Sequence, residues 1–91
     1  MKAILCSRYG SADDLELLDL PMPEPGDGEV VVKVAAAALN FFDTLLIAGK
    51  YQIKPDFPFS PAAEFAGTVH AIGPGVTGFK PGDRVMSYAA Y

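Results

Sequence analysis

Cysteine is almost absent from this chain: Cys6 stands alone among 91 residues. One thiol cannot close an internal disulfide, and a fold that does without them fits a reducing compartment, so a cytoplasmic protein is expected. Histidine is equally scarce. His70 lies far along the chain from Cys6, whereas a zinc site takes three or four Cys, His or carboxylate ligands at recognisable spacing. His70, between Val69 and Ala71, reads instead as a strand histidine facing solvent or serving as a hydrogen-bond partner, and no metal site is expected. No Ser or Cys has a base placed beside it that the sequence can show. Basic residues are few, seven Lys and Arg against eleven Asp and Glu, and they are scattered. A net charge of -4 without a basic stripe excludes a phosphate-tracking surface, so nucleic acid is not an expected partner. Long apolar runs are missing too. The opening MKAILC is far too short for a signal peptide, and nothing approaches the roughly 20 apolar residues of a membrane span, so no membrane partner is expected.

What remains is a chain that is 51% hydrophobic and 20% charged, a globular composition of single-domain size. Residues 59–86, FSPAAEFAGTVHAIGPGVTGFKPGDRVM, organise the reading. Strand 65–72 runs into a glycine-rich reversal at 73–78, and a Pro81-Gly82-Asp83 turn launches a second strand at 84–86. Gly73, Gly75 and Gly78 form a G-x-G-x-x-G string after a strand, the outline of a dinucleotide loop. That loop needs a helix to begin at the glycines, so that backbone N–H groups hold a pyrophosphate. Pro81 removes an N–H and breaks any helix there, so the string reads as a turn.

Earlier in the chain, 2–7 and 15–20 read as short strands, and 21–28 as a Pro/Gly loop. The clearest strand is 29–38. Val30, Val32, Val34 and Ala36 fall on one face and Glu29, Val31 and Lys33 on the other, the period-two signature of a half-buried strand. The run Ala35 to Ala38 leaves room for another backbone or a ligand to approach. From Asn40 the period changes: Phe41, Leu45 and Ala48, with Gly49 as the cap residue, predict a short helix of two to three turns. Residues 51–61 form an aromatic, proline-rich loop. Five or six short strands with one helix predict a mainly β, Greek-key-like small barrel.

Asn40 and Asp43 admit two accounts. Asn40 as N-cap and Asp43 at the third helical position match a capping box, which contributes on the order of 1 kcal/mol. A strand-to-helix junction after four alanines also sets both polar groups at a cleft edge. Tyr51 is either an aromatic lid or a phenol donor over a ligand. Glu64 is a carboxylate among small apolar residues, and a buried carboxylate needs a partner that the sequence does not name.

Taken in order, residues 28–34, LNFFDT at 39–44, Gly49-Lys50-Tyr51, EFAGTV at 64–69, Ile72-Gly73, Gly75-Val76 and Gly82-Asp83-Arg84-Val85 resemble the N-terminal part of the medium-chain dehydrogenase/reductase superfamily. The resemblance covers essentially the whole chain. It implies a GroES-like, partly open β-barrel with one short helix over 1–91. It also implies that this domain is a piece of a two-domain reductase whose Rossmann half, binding NADPH, is expected outside the chain. Where zinc-dependent members carry a catalytic Cys and His, Asn40 and Ala63 stand here, so the chain is similar to the zinc-free quinone oxidoreductase branch. That branch implies catalytic roles for Asn40, Asp43 and Tyr51, and a cofactor-facing wall of Phe41, Phe42, Asp43 and Thr44. Leu45 stands where many relatives have a tyrosine. The implied chemistry is hydride transfer from NADPH to a quinone or α,β-unsaturated carbonyl, with the isolated 91 residues inactive. An enoyl-thioester or alkenal reductase on the same scaffold, or a stand-alone binding barrel, are the competing readings. Sheet edges left open by a truncated barrel would favour a homo-oligomer.

Overall fold

The computed structural model describes residues 1–88. Strands β1 (Lys2–Leu5) and β2 (Glu16–Asp19) pair antiparallel, with Lys2 opposite Asp19 and Leu5 opposite Glu16. A single 3-10 turn, Ala12–Asp14, reverses the chain between them. Asp14 accepts from the Ser11 N–H at 2.9 Å and from Arg8 at 2.8 Å. Those two donors hold its carboxyl below the usual carboxylate range, the Ser11 backbone first.

The larger sheet has the order β3-β4-β5, from β3 (Val30–Ala38), β4 (Glu64–Ile72) and β5 (Arg84–Ser87), all antiparallel. Val30 sits opposite Ile72 at one end of the β3–β4 ladder, and Ala38 opposite Glu64 at the other. The expected pairing of 65–72 with 84–86 is present, extended by one residue at each strand. Gly67, in the central strand, has no room for a side chain: a Cβ there would overlap the Lys33 carbonyl.

The glycine string at 73–78 is a turn. The Gly73 N–H bonds the Glu29 carbonyl and the Gly28 N–H the Pro74 carbonyl, each at 2.8 Å, so the two loops lock the open end of β3–β4. A Cβ on Gly73 would overlap the Gly26 carbonyl.

One expectation needs correction. The buried residue of β3 is Val31, while Val34 is exposed and Val30 and Val32 are intermediate. Register shifts between Val31 and Val32 and again between Val34 and Ala36 break the strict alternation that the face assignment assumed. The described residues form a two-stranded and a three-stranded sheet, five strands in all, which are open rather than closed, in keeping with the expected partly open barrel. The mainly β class stands.

Helix α1 (Phe41–Ile47) packs Leu46 and Ile47 into the main cluster with Cys6 and Phe59, and Leu15, Phe42 and Tyr51 cover it. Cys6 and Phe59 exchange backbone hydrogen bonds of 2.8 and 3.2 Å, which ties the proline-rich loop to the end of β1. The helix ends as its glycine predicts. Gly49 has φ +73°, its N–H bonds the Leu46 carbonyl, and the Lys50 N–H bonds the Leu45 carbonyl, a Schellman arrangement. No helix among the described residues is long and apolar enough to cross a membrane.

Candidate functional site

The site is built where β3 ends and α1 begins. Opposite Ala38, the last residue of β3, stands Glu64, the first of β4. Two residues beyond Ala38 the chain reaches Asn40, which is extended (φ −123°, ψ 160°) before the helix starts. The ladder register therefore fixes how close the Asn40 and Glu64 side chains come, although 24 residues separate them. Asn40 Nδ2 donates to Glu64 Oε2 at 2.7 Å, and both side chains are exposed.

Asp43 takes the opposite position, inward. It is 6% exposed, and each carboxylate oxygen accepts one backbone N–H: Oδ2 from Asn40 at 2.9 Å and Oδ1 from Ala62 at 3.0 Å. Asn40 and Asp43 stand in capping-box geometry, the Asp43 carboxylate accepting from the Asn40 N–H, while the Asn40 Nδ2 donates to Glu64. A carboxylate in the first helical turn is further favoured by the helix dipole. Ala62 has φ +68°, left-handed backbone that a non-glycine residue adopts at a cost. Asp43 thus clamps the helix start to the segment that delivers Glu64, two residues after Ala62.

The other sequence-named residues divide. Phe41 is 77% exposed, and its carbonyl accepts from Thr44 Oγ1 at 2.6 Å. Phe42 turns inward and meets the Tyr51 ring at 5.5 Å between centroids, so Tyr51 covers the core cluster through Phe42. The structure brings Asn40, Asp43 and Glu64 into one hydrogen-bonded unit and places Tyr51 with the hydrophobic cluster. Beside that unit lies a groove of about 440 Å³, with Ala36 to Ala38 and Phe65 along it and Met86 and Tyr88 as a wall. Alanine side chains on β3 leave this space open, as the alanine run anticipated. A larger hollow of about 580 Å³ near Phe79, Asp83 and Arg84 contains none of the candidate residues.

Sequence reasoning missed three features. Glu64 has its partner in Asn40, a contact no local spacing encodes. Met86 and Tyr88 reach the groove only through the β4–β5 pairing. The left-handed Ala62 carries no glycine to mark it.

The fit of the site to a metal follows from its donors. Among the described residues, no three His, Cys, Asp or Glu side chains cluster as a metal site would require. Ala63 is fully buried and offers a methyl group, and Asn40 offers an amide already engaged with Glu64. Zinc favours thiolate and imidazole, so these positions do not fit it.

Residues 26–90 match the model of the alcohol dehydrogenase GroES-like domain. The chain belongs to that family. It is 38% identical over its full length to the human synaptic vesicle membrane protein VAT-1 homolog-like, covering 22% of that protein. It is 39% identical over 96% of its length to the quinone oxidoreductase of Lama guanicoe, 27% of which it covers. The chain thus spans about a quarter of the length of the curated relatives it matches. Among solved structures, the human VAT-1 homolog-like protein superposes over the whole chain, and 29% of its own, with TM-score 0.89 and 38% identity. A mycobacterial protein complexed with NADPH superposes with TM-score 0.86 and 40% identity over 97% of this chain and 27% of its own. A cobalt- and zinc-bound alcohol dehydrogenase from Pyrobaculum aerophilum does so with 0.84 and 41%, over 94% and 26%. The solved structures similar to this chain thus include one holding NADPH and one holding cobalt and zinc.

Proposed function

We propose that this chain is the N-terminal substrate domain of a two-domain, NADPH-dependent oxidoreductase. The reductase passes a hydride to a quinone or an α,β-unsaturated carbonyl without zinc. The observation that carries the reading is the donor set at the strand-to-helix junction. The Asn40 amide and the buried Ala63 methyl group stand where metal-assisted polarisation would need a thiolate and an imidazole. Likeness to a quinone oxidoreductase and to an NADPH complex supports the cofactor and the acceptor class.

When bound, NADPH supplies the hydride, two electrons and one hydrogen nucleus, and solvent supplies the proton that completes hydroquinone or saturated carbonyl. The chain's residues orient and polarise. The Asn40 amide has one N–H left over after Glu64, and we assign it to the acceptor oxygen as negative charge develops there. Asp43 holds the Asn40 backbone in place rather than touching the acceptor. Phe41, exposed, supplies an apolar wall, and Tyr51, packed on Phe42, offers its phenol as a second donor. Thr44, bonded to the Phe41 carbonyl, steadies that wall. The bulk of the dinucleotide would be held by the second domain, so the 91 residues alone should not turn over substrate. Replacing Asn40 by Ala in the full protein should lower kcat/KM for a quinone by about 10- to 100-fold. Unchanged kinetics would remove Asn40 from the chemistry.

A further inference from the structure

Asn40 has an amide with two chemically different ends, and the role just proposed depends on which end faces the acceptor. A carboxylate offers only acceptors, so the 2.7 Å contact with Glu64 Oε2 can be made by Asn40 Nδ2 and not by Oδ1. Glu64 itself is held on two sides. It begins β4 opposite Ala38, and the segment before it is clamped by the Asp43–Ala62 hydrogen bond at 3.0 Å. The Asn40 backbone is fixed from the same carboxylate, at 2.9 Å. Both partners of the pair are thus anchored through Asp43.

Resting on the reductase reading, we infer that Glu64 is a positioning residue: it fixes the flip state of the Asn40 amide, so that the remaining Nδ2–H is presented to the acceptor in a single arrangement. Without Glu64 the amide can turn over, and the acceptor then meets Oδ1, an oxygen facing an oxygen. The charge on Glu64 also matters. A glutamine in its place could either accept from Nδ2 or donate to Oδ1, so it would permit both flip states while filling the same volume.

The test compares wild type, Glu64→Gln, Glu64→Ala and the reversed pair Asn40→Asp with Glu64→Gln, all in the full protein. Glu64 is exposed, so folding should survive in each, as checked by Tm. The expected result is a kcat for quinone reduction lowered about 2-fold or more in both Glu64 variants, as two flip states come to share the population, with KM for NADPH unchanged. The reversed pair should keep the hydrogen bond and wild-type Tm yet stay slow, because its outward face holds only acceptors. A purely structural role predicts the opposite, that the reversed pair recovers rate along with Tm. Side-chain amide NMR of Asn40 separates this claim from the reductase reading. Its two N–H resonances should shift when Glu64 is replaced by Gln, whether or not quinones are substrates. Resonances and kcat that both ignore Glu64 would overturn the inference. Absent turnover in wild type, with the resonances still responding, would sink only the reductase reading.

Discussion

Asp43 shows how a sequence motif can be right in place and different in use. Its spacing from Asn40 marked a helix cap and a candidate catalytic carboxylate, and the cap is there. Its second oxygen, however, reaches Ala62, 19 residues on, and this bond organises the loop. Removing the carboxylate strands two N–H groups in a part-buried position. Asp43→Ala should therefore lower unfolding stability by about 2–4 kcal/mol, read from urea denaturation. Asp43→Asn should also destabilise, because its NH2 would face one of those donors. A loss below about 0.5 kcal/mol would show that the clamp is not a stabilising feature. Cys6 is the other residue with a sharp expectation. Burial raises its thiol above the ordinary range, with the Arg8 carbonyl contact and Asp14 as smaller influences. A raised native pKa means the folded state binds the proton more tightly than the unfolded one. That contribution to stability is fully present below the unfolded thiol value of about 8.5 and is lost as pH rises through and beyond it. Stability should fall in that alkaline window in wild type and fall less in Cys6→Ala, measured as Tm against pH.

At the scale of elements, the strand and helix ends were legible because glycine, proline and alternation act locally. Gly49 ended the helix and Pro81-Gly82 launched β5 for stated stereochemical reasons. The faces of β3 were not legible. Two register shifts turn the strand without any glycine or proline inside it to announce them. The Asn40–Glu64 contact was invisible for a related reason, since it depends on which residue of β4 pairs with Ala38. Glycines in the sheet make a prediction at this scale. Gly67→Ala puts a methyl group onto the Lys33 carbonyl in the central strand, and should destabilise by about 1–3 kcal/mol in chemical denaturation. Gly75→Ala meets nothing but carries φ +79°, so its cost should stay near about 1 kcal/mol. Equal costs at the two positions would deny that close packing of β3 on β4 sets the difference.

For the whole molecule, the exposed Leu39, Phe41, Met86 and Tyr88 stand out on a chain otherwise ordinary in composition. These side chains flank the groove and the Asn40–Glu64 pair, and the reading of a cleft shared with a second domain gives them a reason to be apolar. The family relationship could be read from the ordered set of motifs, while the substrate could not, because the groove is shaped by strand pairing that no local spacing encodes. In the proposed reaction, hydride transfer proceeds by hydrogen-bond polarisation and not through a metal. The most direct measurement follows NADPH oxidation by the full protein, with a benzoquinone or an enone as acceptor, before and after exhaustive treatment with a zinc chelator. The account predicts turnover that chelation leaves unchanged and that Asn40→Ala lowers. Turnover abolished by the chelator and restored by zinc would contradict it, as would oxidation of alcohols with no reduction of quinones or enones.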